Sequence, residues 1–259
     1  MNSILISIGD IKIYWYSFIL LIAFTLGFYL FYKEAIKEKI DKNFIIDYAC
    51  YLIPICLIGA RIYYVIFEFQ YYQSDLLGIF RVWEGGLAIH GGIIAGVIFT
   101  LYYSKKHNVN FYKLADILVI SLIIGQIIGR WGNFFNSEAY GPQTTYTFLK
   151  SLHLPEFIIK GMCIDGVYYH PTFLYESLWN LIGLFILLII KRYRKHKGTL
   201  LATYLIYYGI GRFLIESLRQ DSLMLFNIKM AQFASIGMIL IGIYILIKES
   251  KKAEKPVKK

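Results

Sequence analysis

Apolar residues fill long runs along this chain, and short polar segments separate the runs. A helix needs about 20 predominantly apolar residues to cross a bilayer. Seven runs approach or reach that length, and they predict seven membrane-spanning helices near residues 14–32, 44–67, 87–103, 114–135, 172–190, 199–215 and 230–247. The predicted fold class is therefore an all-α integral membrane protein, with a membrane domain over residues 1–247.

One long connection separates the fourth and fifth predicted helices. It covers residues 136–171 and holds turn-forming residues at Gly141-Pro142, Pro155 and Gly161. Its length predicts a small head outside the membrane. After the seventh run, residues 248–259 form a tail rich in lysine, which we expect to be mobile and to lie against anionic lipid.

The distribution of positive charge predicts how the chain is oriented. Of the 27 Lys and Arg residues, 18 lie in the segments on one side of the seven helices and six on the other. Cytoplasmic loops collect such residues, so the N-terminus is expected outside and the C-terminus in the cytoplasm. The net charge of +10 then reports topology, and we expect no nucleic-acid partner.

Composition excludes the other common classes of protein. Residues counted as hydrophobic make up 58% of the chain and charged residues 17%, whereas ordinary soluble proteins have about 45–50% apolar residues. Such a chain is neither a soluble globular domain nor a disordered one. Three cysteines cannot form a disulfide framework.

Several polar side chains are expected inside the membrane at the depth of the outer surface. Arg61, Arg130 and Arg212 lie near the outer ends of even-numbered predicted helices, and His90 and Glu176 lie at the outer ends of odd-numbered ones. Ionisable groups are costly there and mark functional sites, although an internal salt bridge or snorkelling to the interface is an equal alternative. Arginine matches phosphate geometry, so the convergence favours an anionic phospholipid headgroup as ligand. Asp47 and Asp116 fall at inner ends, where a structural role is expected.

Spacing places several of these groups on shared helix faces. One stripe holds Tyr208, Arg212, Glu216 and Arg219, and a second face holds Arg130 with Asn133. In the first stripe Glu216 is expected to neutralise and orient Arg212. Two glycine pairs bracket His90 and permit close backbone approach, to another helix or to a ligand. We find no metal-ligand spacing and no phosphate-binding loop, so no cofactor is expected.

Residues 129–141, with the sequence GRWGNFFNSEAYG, closely resemble the signature segment of the bacterial prolipoprotein diacylglyceryl transferases. The resemblance extends in order over nearly the whole chain. Its other landmarks are Tyr14-Trp15-Tyr16, Gly59-Ala60-Arg61, His90-Gly91-Gly92, the segment 170–176 and the segment 208–220. Departures within the signature are small and include Trp131 and residues 137–140, where members of the family vary.

The resemblance implies seven membrane helices, an outer head, and transfer of the sn-1,2-diacylglyceryl group from phosphatidylglycerol to the lipobox cysteine of a prolipoprotein. A thioether forms and glycerol 1-phosphate leaves, as the first step of bacterial lipoprotein maturation. The implied location is the bacterial cytoplasmic membrane, with the site toward the outer leaflet. The expected partners are phosphatidylglycerol, the lipobox and membrane lipid, and the protein is expected to be a monomer.

That chemistry needs a base for the substrate thiol and cationic donors for the departing phosphate. We expect Arg130 and Arg212 to bind the phosphate, with Glu216 orienting Arg212. His90 is the candidate base, with hydrogen bonding to the headgroup or to helix backbone as its alternative. Other expected lining residues are Asn133 as a neutral donor, Glu138, Tyr16, Tyr208, and Gly141 at a turn; Arg61 and Glu176 are secondary candidates that would form a structural pair.

Two other functions fit a membrane chain with intramembrane arginines. One is a transporter or flippase for a phospholipid-like anion, which the absence of visible inverted repeats disfavours. The other is a membrane scaffold without enzymatic activity. Such a scaffold has no need for arginine in three spans, and placing charged side chains inside the membrane costs free energy. Only the transferase makes a thioether, so the product distinguishes them.

Overall fold

The structure is a computed structural model that describes residues 4–9, 11–219, 224–225 and 228–253. Long apolar runs form helices because a helix satisfies its own backbone hydrogen bonds in lipid. Within the described ranges there are ten α-helices: α1 Trp15–Lys37, α2 Lys42–Phe67, α3 Phe69–Tyr72, α4 Ile89–Lys106, α5 Phe111–Phe135, α6 Tyr146–Ser151, α7 Glu156–Gly161, α8 Thr172–Tyr193, α9 Thr199–Leu218 and α10 Met230–Ala253.

Each of the seven predicted spans coincides with one long helix, namely α1, α2, α4, α5, α8, α9 or α10. Five of these helices are long and apolar enough to cross a membrane: α1, α2, α5, α8 and the Met230–Lys251 part of α10. The chain is thus a mostly helical protein with several membrane-crossing candidates. Helices α4 and α9 have 18 and 20 residues and carry more polar side chains, so their crossing of the bilayer stays a prediction.

The chain divides into two compact units. The larger unit comprises Met1–Phe31 and Ala115–Lys259, and the smaller unit comprises Tyr32–Leu114. The larger unit therefore holds most of α1 and most of α5, together with α6 to α10. The smaller unit holds α2, α3 and α4, with two short 3-10 segments at Leu76–Phe80 and Val82–Glu84.

In the larger unit α5, α8 and α9 share a core. Its buried members are Val119, Ile120, Ile123, Leu187, Leu200 and Tyr204. Helices α9 and α10 approach closely at glycines, since a Cβ built on Gly209 would lie 2.8 Å from Cγ1 of Ile239. Small residues at such crossings are typical of membrane helix pairs.

The Asp116 carboxylate anchors the beginning of α9. It is fully buried, and it accepts hydrogen bonds from the backbone N–H groups of Gly198 and Leu201, each at 2.9 Å. Nη1 of Arg194 lies 2.6 Å from its Oδ2. An anion at a helix N-terminus satisfies unpaired N–H groups and favours the helix dipole, which agrees with the structural role expected for Asp116.

A small mixed subdomain fills the predicted head region, residues 136–171. Three short strands, β3 Gln143–Thr144, β4 Cys163–Ile164 and β5 Val167–Tyr169, form an antiparallel sheet in the order β3-β5-β4. Helices α6 and α7 lie between β3 and β4 in the chain. Their core is continuous with the ends of α5 and α8 and contains Phe134, Leu149, Ile158, Ile159, Met162 and Phe173.

Two hairpins complete the described fold. Strands β1 Ile4–Ile8 and β2 Ile11–Tyr14 precede α1, and β6 Met224–Leu225 pairs with β7 Ile228–Lys229 before α10. The sequence predicted no strands, because two- to five-residue strands carry too little alternation to be recognised. Helix α10 continues to Ala253, so the first half of the predicted tail is helical; the expected mobility concerns residues 254–259, which lie outside the described residues.

Candidate active site

A chain of alternating charges crosses the interior of the larger unit. Nη2 of Arg130 lies 2.7 Å from Oε2 of Glu176, and Nη1 of Arg212 donates to Oε1 of the same carboxylate at 2.8 Å. Nη2 of Arg212 lies 2.7 Å from Oε2 of Glu216. That last contact is ionic without hydrogen-bond alignment, since this Oε2 accepts no hydrogen bond. One glutamate thus holds two arginines together.

Helix register brings these four residues together. Arg130 lies in the last third of α5, Glu176 in the second turn of α8, and Arg212 and Glu216 four residues apart on α9. Oγ of Ser177 donates to the carbonyl of Ile127 at 3.0 Å and so links α8 to α5 beside Glu176.

A reciprocal pair of hydrogen bonds fixes α8 against α9. Nε1 of Trp179 donates to the carbonyl of Tyr207 at 3.2 Å, and the Tyr207 hydroxyl donates to the carbonyl of Trp179 at 2.9 Å. Gly211 makes room for the indole, because a Cβ there would meet Trp179 Nε1 at 2.0 Å. The register of α8 on α9 is what places Glu176 opposite Arg212.

The exposure of the four side chains differs in a consistent way. The side chains of Arg130 and Arg212 are 20% and 17% exposed, whereas those of Glu176 and Glu216 are 5% and 3% exposed. The carboxylates are therefore buried more deeply than the arginine side chains that bind them. Two positive and two negative charges balance, which permits burial that a lone charge would oppose.

The signature segment adds a polar extension to this cluster. Nη1 of Arg130 lies 3.5 Å from Oδ1 of Asn133, and Nδ2 of Asn133 donates to Oε1 of Glu138 at 2.9 Å. After α5 ends, Ser137 and Ala139 adopt left-handed backbone, at φ 51° and 56°. This turn brings the exposed Glu138 back beside Asn133.

Two tyrosines flank Arg130. Tyr16 on α1 interacts electrostatically with Arg130 and Glu138, and Tyr208 on α9 makes a side-chain contact with the Arg130 guanidinium. Tyr16 lies directly over Gly132, where a Cβ would approach its Cδ2 to 2.8 Å. The absence of a side chain at residue 132 thus lets the phenol lie across α5 next to the arginine.

Gly141 joins the signature segment to the chain that enters α8. Its N–H donates to the carbonyl of His170 at 3.0 Å, and the N–H of His170 donates to the carbonyl of Pro142 at 3.0 Å. A Cβ on Gly141 would lie 2.9 Å from that of His170. The Thr172 hydroxyl donates to the carbonyl of Ala139. Gly141 therefore acts through its backbone, which holds the turn between the signature segment and the start of α8.

In the smaller unit Arg61 is buried and binds backbone carbonyl oxygens. The predicted pairing of Arg61 with Glu176 is wrong, because the glutamate is held by Arg130 and Arg212 while the Arg61 guanidinium donates to a loop of its own unit. A guanidinium satisfies a curved row of carbonyls as well as it satisfies a carboxylate. That loop also borders a cavity of about 360 Å³.

His90 is the second residue of α4 and is half-buried. The ring of Tyr63 on α2 lies 6.2 Å from the imidazole, measured between ring centroids. Helices α2 and α4 touch at glycines just beside it, since a Cβ on Gly91 would lie 2.3 Å from the carbonyl oxygen of Gly59. Of the two glycine pairs that bracket His90, Gly91-Gly92 thus permits close approach of α4 to α2, which is one of the two expected alternatives. The pair Gly85-Gly86 lies in the loop before α4.

The last residue of the predicted stripe on α9, Arg219, lies just beyond the end of the helix. The helix stops at Leu218, and Arg219 has extended backbone at φ −77° and ψ 138°, so it does not continue the face of Arg212 and Glu216. The sequence also gave no sign of Lys229, whose ammonium donates to the carbonyls of Glu216 and Arg219, each at 2.7 Å. A lysine there caps the C-terminus of α9.

A buried carboxylate shared by two arginines, at the ends of long apolar helices, gives this helical chain with several candidate membrane spans a pair of guanidinium groups of the kind that suits a phosphate or similar anion. In the described ranges no group of three or more His, Cys, Asp or Glu side chains could hold a metal ion.

Comparison with known proteins identifies the family. A model of the prolipoprotein diacylglyceryl transferase family matches residues 3–248. A protein of Listeria monocytogenes serotype 4b (strain CLIP80459), named phosphatidylglycerol–prolipoprotein diacylglyceryl transferase, is 46% identical over 256 residues, which cover 99% of this chain and 92% of the relative. A Bacillus cereus (strain Q1) protein of the same name is 46% identical over 254 residues, covering 98% and 94%. This chain belongs to the prolipoprotein diacylglyceryl transferase family, a family of transferases.

Proposed function

We propose that this protein transfers the sn-1,2-diacylglyceryl group of phosphatidylglycerol to the lipobox cysteine of prolipoproteins. The cysteine sulfur forms a bond to the terminal glyceryl carbon, and the bond from that carbon to the phosphate oxygen breaks. The phosphate oxygen keeps the bonding electrons, so glycerol 1-phosphate leaves and a thioether remains. The substrate names of the Listeria and Bacillus relatives support this reaction.

The observation that carries the proposal is the joint binding of Arg130 and Arg212 by the Glu176 carboxylate. Two guanidinium groups repel each other, and a carboxylate between them offsets that repulsion and sets their spacing. Each guanidinium has five N–H donors, so donors remain for a phosphate after the contacts with glutamate. Charge that develops on a leaving phosphate is best stabilised by donors already held in place.

The polar extension of the site suits the glycerol part of the headgroup. The Glu138 carboxylate accepts hydrogen bonds, and Asn133 both donates and accepts them. Together with the hydroxyls of Tyr16 and Tyr208 they offer partners for the alcohol groups of phosphatidylglycerol. A headgroup without those alcohols would leave the partners unsatisfied, which is how such sites reject close analogues.

The substrate thiol must lose its proton before it attacks, because the thiolate is the nucleophile. A free thiol has a pKa of about 8.5, so a base near the sulfur increases the reactive fraction. We assign that role to His90, since imidazole accepts a proton near neutral pH. The proton moves from sulfur to the imidazole nitrogen and is then released to solvent.

The charge distribution supports the membrane topology of this enzyme. The excess of lysine and arginine on one side favours an outer N-terminus, a cytoplasmic C-terminus and seven crossings of the bacterial cytoplasmic membrane. The site then lies toward the outer leaflet, and residues 136–171 form the outer head. We expect the protein to act as a monomer that meets both substrates within the membrane.

Purified protein in detergent containing phosphatidylglycerol, with a synthetic lipobox peptide, tests the proposal. Mass spectrometry should detect a diacylglyceryl adduct on the peptide cysteine, and Arg130→Ala should abolish it while leaving the protein monodisperse. Phosphatidylethanolamine in place of phosphatidylglycerol should give little adduct. If well-folded wild-type protein gives no adduct with any headgroup, a transporter or flippase of anionic lipid becomes the better assignment.

A further inference from the structure

Arg61 donates to five backbone carbonyl oxygens of a single loop in the smaller unit. Its side chain is buried, with the residue 6% exposed. Nε donates to Ile79 at 2.8 Å, Nη1 to Gly85 at 2.6 Å and Gly86 at 2.9 Å, and Nη2 to Gly78 at 2.7 Å and Arg81 at 3.4 Å. We call residues 78–86 the carbonyl loop.

These contacts leave Arg61 no donor for a substrate. A guanidinium carries five N–H bonds, and all three of its nitrogens point at loop carbonyls. Among the described residues no carboxylate lies within ion-pair distance of Arg61, whereas the Arg81 side chain on the same loop pairs with Asp75 and Glu84. Arg61 is therefore a structural centre for the loop rather than part of an anion clamp.

The carbonyl loop leads directly into the helix that carries His90. Two residues after Gly86, the N–H of Ala88 donates to the carbonyl of Ala60 at 3.1 Å, and α4 begins at the next residue. The loop end is tightly packed on the guanidinium, because a Cβ on Gly86 would lie 2.4 Å from Nη1 of Arg61. Arg61 and the backbone of its neighbour Ala60 thus hold both the loop and the first turn of α4 to α2.

We propose that Arg61 is a positioning residue for His90. By binding the carbonyl loop it fixes where α4 starts, and so fixes the imidazole relative to α2 and to the Tyr63 ring. The effect of Arg61 on catalysis rests on the proposed function, in which His90 is the base. The effect of Arg61 on the position of His90 does not depend on that function. A lysine at residue 61 cannot replace the arginine, since one ammonium has three donors and lacks the planar fork.

Labelling of histidine measures the positioning without any substrate. Diethyl pyrocarbonate modifies exposed, unprotonated imidazoles, and peptide mass spectrometry resolves each site, with His107 and His153 as internal references. Arg61→Ala and Arg61→Lys should each raise the labelling rate of His90 by at least about threefold, because a released loop opens locally. Gly86→Ala should do the same while retaining the arginine. Arg81→Gln, which removes the other arginine side chain of the loop, should leave the rate unchanged.

Kinetics with the lipobox peptide then separate positioning from binding. Loss of alignment should lower kcat by about tenfold or more, as misplacement of a reacting group does, with KM for phosphatidylglycerol unchanged. Only variants that elute as monodisperse protein are compared; if Arg61→Ala does not fold, Arg61→Lys and Gly86→Ala carry the test.

Two results would overturn the assignment: unchanged His90 labelling in folded Arg61→Lys and Gly86→Ala, or a raised KM for phosphatidylglycerol with kcat intact. Faster labelling together with unchanged kcat and unchanged KM would support the positioning role and remove His90 as the base. Failure of the wild-type protein to form any thioether would refute the proposed function and leave the labelling result valid.

Discussion

Oε1 of Glu176 accepts a 2.8 Å hydrogen bond from Nη1 of Arg212, while its other oxygen lies against Arg130. The carboxylate is almost fully buried, and the two arginine side chains are somewhat more exposed. Glu176 was a secondary candidate in the sequence, and its position between the arginines makes it the centre of the site. It orients the two guanidinium groups that the proposed function assigns to the phosphate, and it need not touch the substrate itself.

Glu176→Gln keeps the shape of the side chain and removes its charge. The two guanidinium groups would then repel each other without an anion between them, and disrupting a buried charge pair costs about 2 kcal/mol or more. We expect kcat/KM for phosphatidylglycerol to fall at least about tenfold, since 1.4 kcal/mol is tenfold. Glu156→Gln, at an exposed ion pair with Lys160 in the head, is the matched control and should stay near wild type. Equal activity of the two variants would remove Glu176 from the site.

Gly132→Ala tests the position of Tyr16. The added methyl would lie 2.8 Å from the Tyr16 ring, so the phenol must move away from Arg130. We expect kcat/KM to fall by about tenfold, because small displacements at a reacting centre are costly. Gly125→Ala lies two turns earlier on the same helix, where the new Cβ would come no nearer than 4.0 Å to another group. The Gly125→Ala control should keep its kcat/KM. A comparable loss of kcat/KM in the control would mean that any added methyl on α5 disturbs activity, and it would contradict a specific role for the Tyr16 position.

Replacing the three cysteines tests whether the enzyme itself supplies a thiol. Cys50 is exposed, and Cys56 and Cys163 are half-buried. Because the proposed nucleophile belongs to the substrate, the triple Cys→Ala variant should keep activity within about twofold, the effect of roughly 0.5 kcal/mol expected away from functional groups. Intact-mass measurement of the enzyme during turnover should show no diacylglyceryl adduct. Loss of all activity in a folded triple variant, or an adduct on the wild-type enzyme, would favour a covalent intermediate.

Asp116→Asn should lower stability without changing chemistry. The substitution removes the anion beside Arg194 and directs an amide N–H toward backbone donors at the start of α9. Breaking a buried ion pair costs about 3 kcal/mol, which corresponds to roughly 6–12 °C in thermal midpoint for a protein of this size. Asp41→Asn is the control: Asp41 caps α2 through the N–H of Phe44, and asparagine caps as well as aspartate. If the thermal midpoint of Asp116→Asn is no lower than that of Asp41→Asn, Asp116 does not anchor the start of α9.

The pattern of apolar residues was sufficient to predict the long helices, but it did not predict the short strands. Runs of about 20 apolar residues identify helices because lipid leaves the backbone no other hydrogen-bond partner. The strand pair Gln143–Thr144 and Val167–Tyr169 has only a few residues on each side, so neither carries a readable period. These strands pair because the segment that leaves α5 and the segment that enters α8 are brought side by side by the packing of the helices. Sequence pattern does not encode such a tertiary contact.

The candidate site was partly predictable for a similar reason. Arg212 and Glu216 are four residues apart on one helix, and that spacing alone predicts their contact. The contacts of Glu176 with Arg130 and Arg212 join three helices, and no spacing along the chain encodes them. Arg61 was placed with the wrong partner because a buried arginine suggests a carboxylate, whereas backbone carbonyls of the loop 78–86 accept all of its hydrogen bonds.

Stoichiometry of the two products tests the proposed reaction most directly. Phosphatidylglycerol labelled with ³²P and a lipobox peptide would be incubated with the enzyme, and the peptide adduct and the released glycerol 1-phosphate would be measured in the same sample. We predict one glycerol 1-phosphate for each thioether, with both lost in Arg212→Ala. Release of glycerol phosphate without adduct would indicate hydrolysis to diacylglycerol, which is the reaction of a phospholipase C. Movement of intact labelled lipid with neither product would contradict a transferase and favour a transporter.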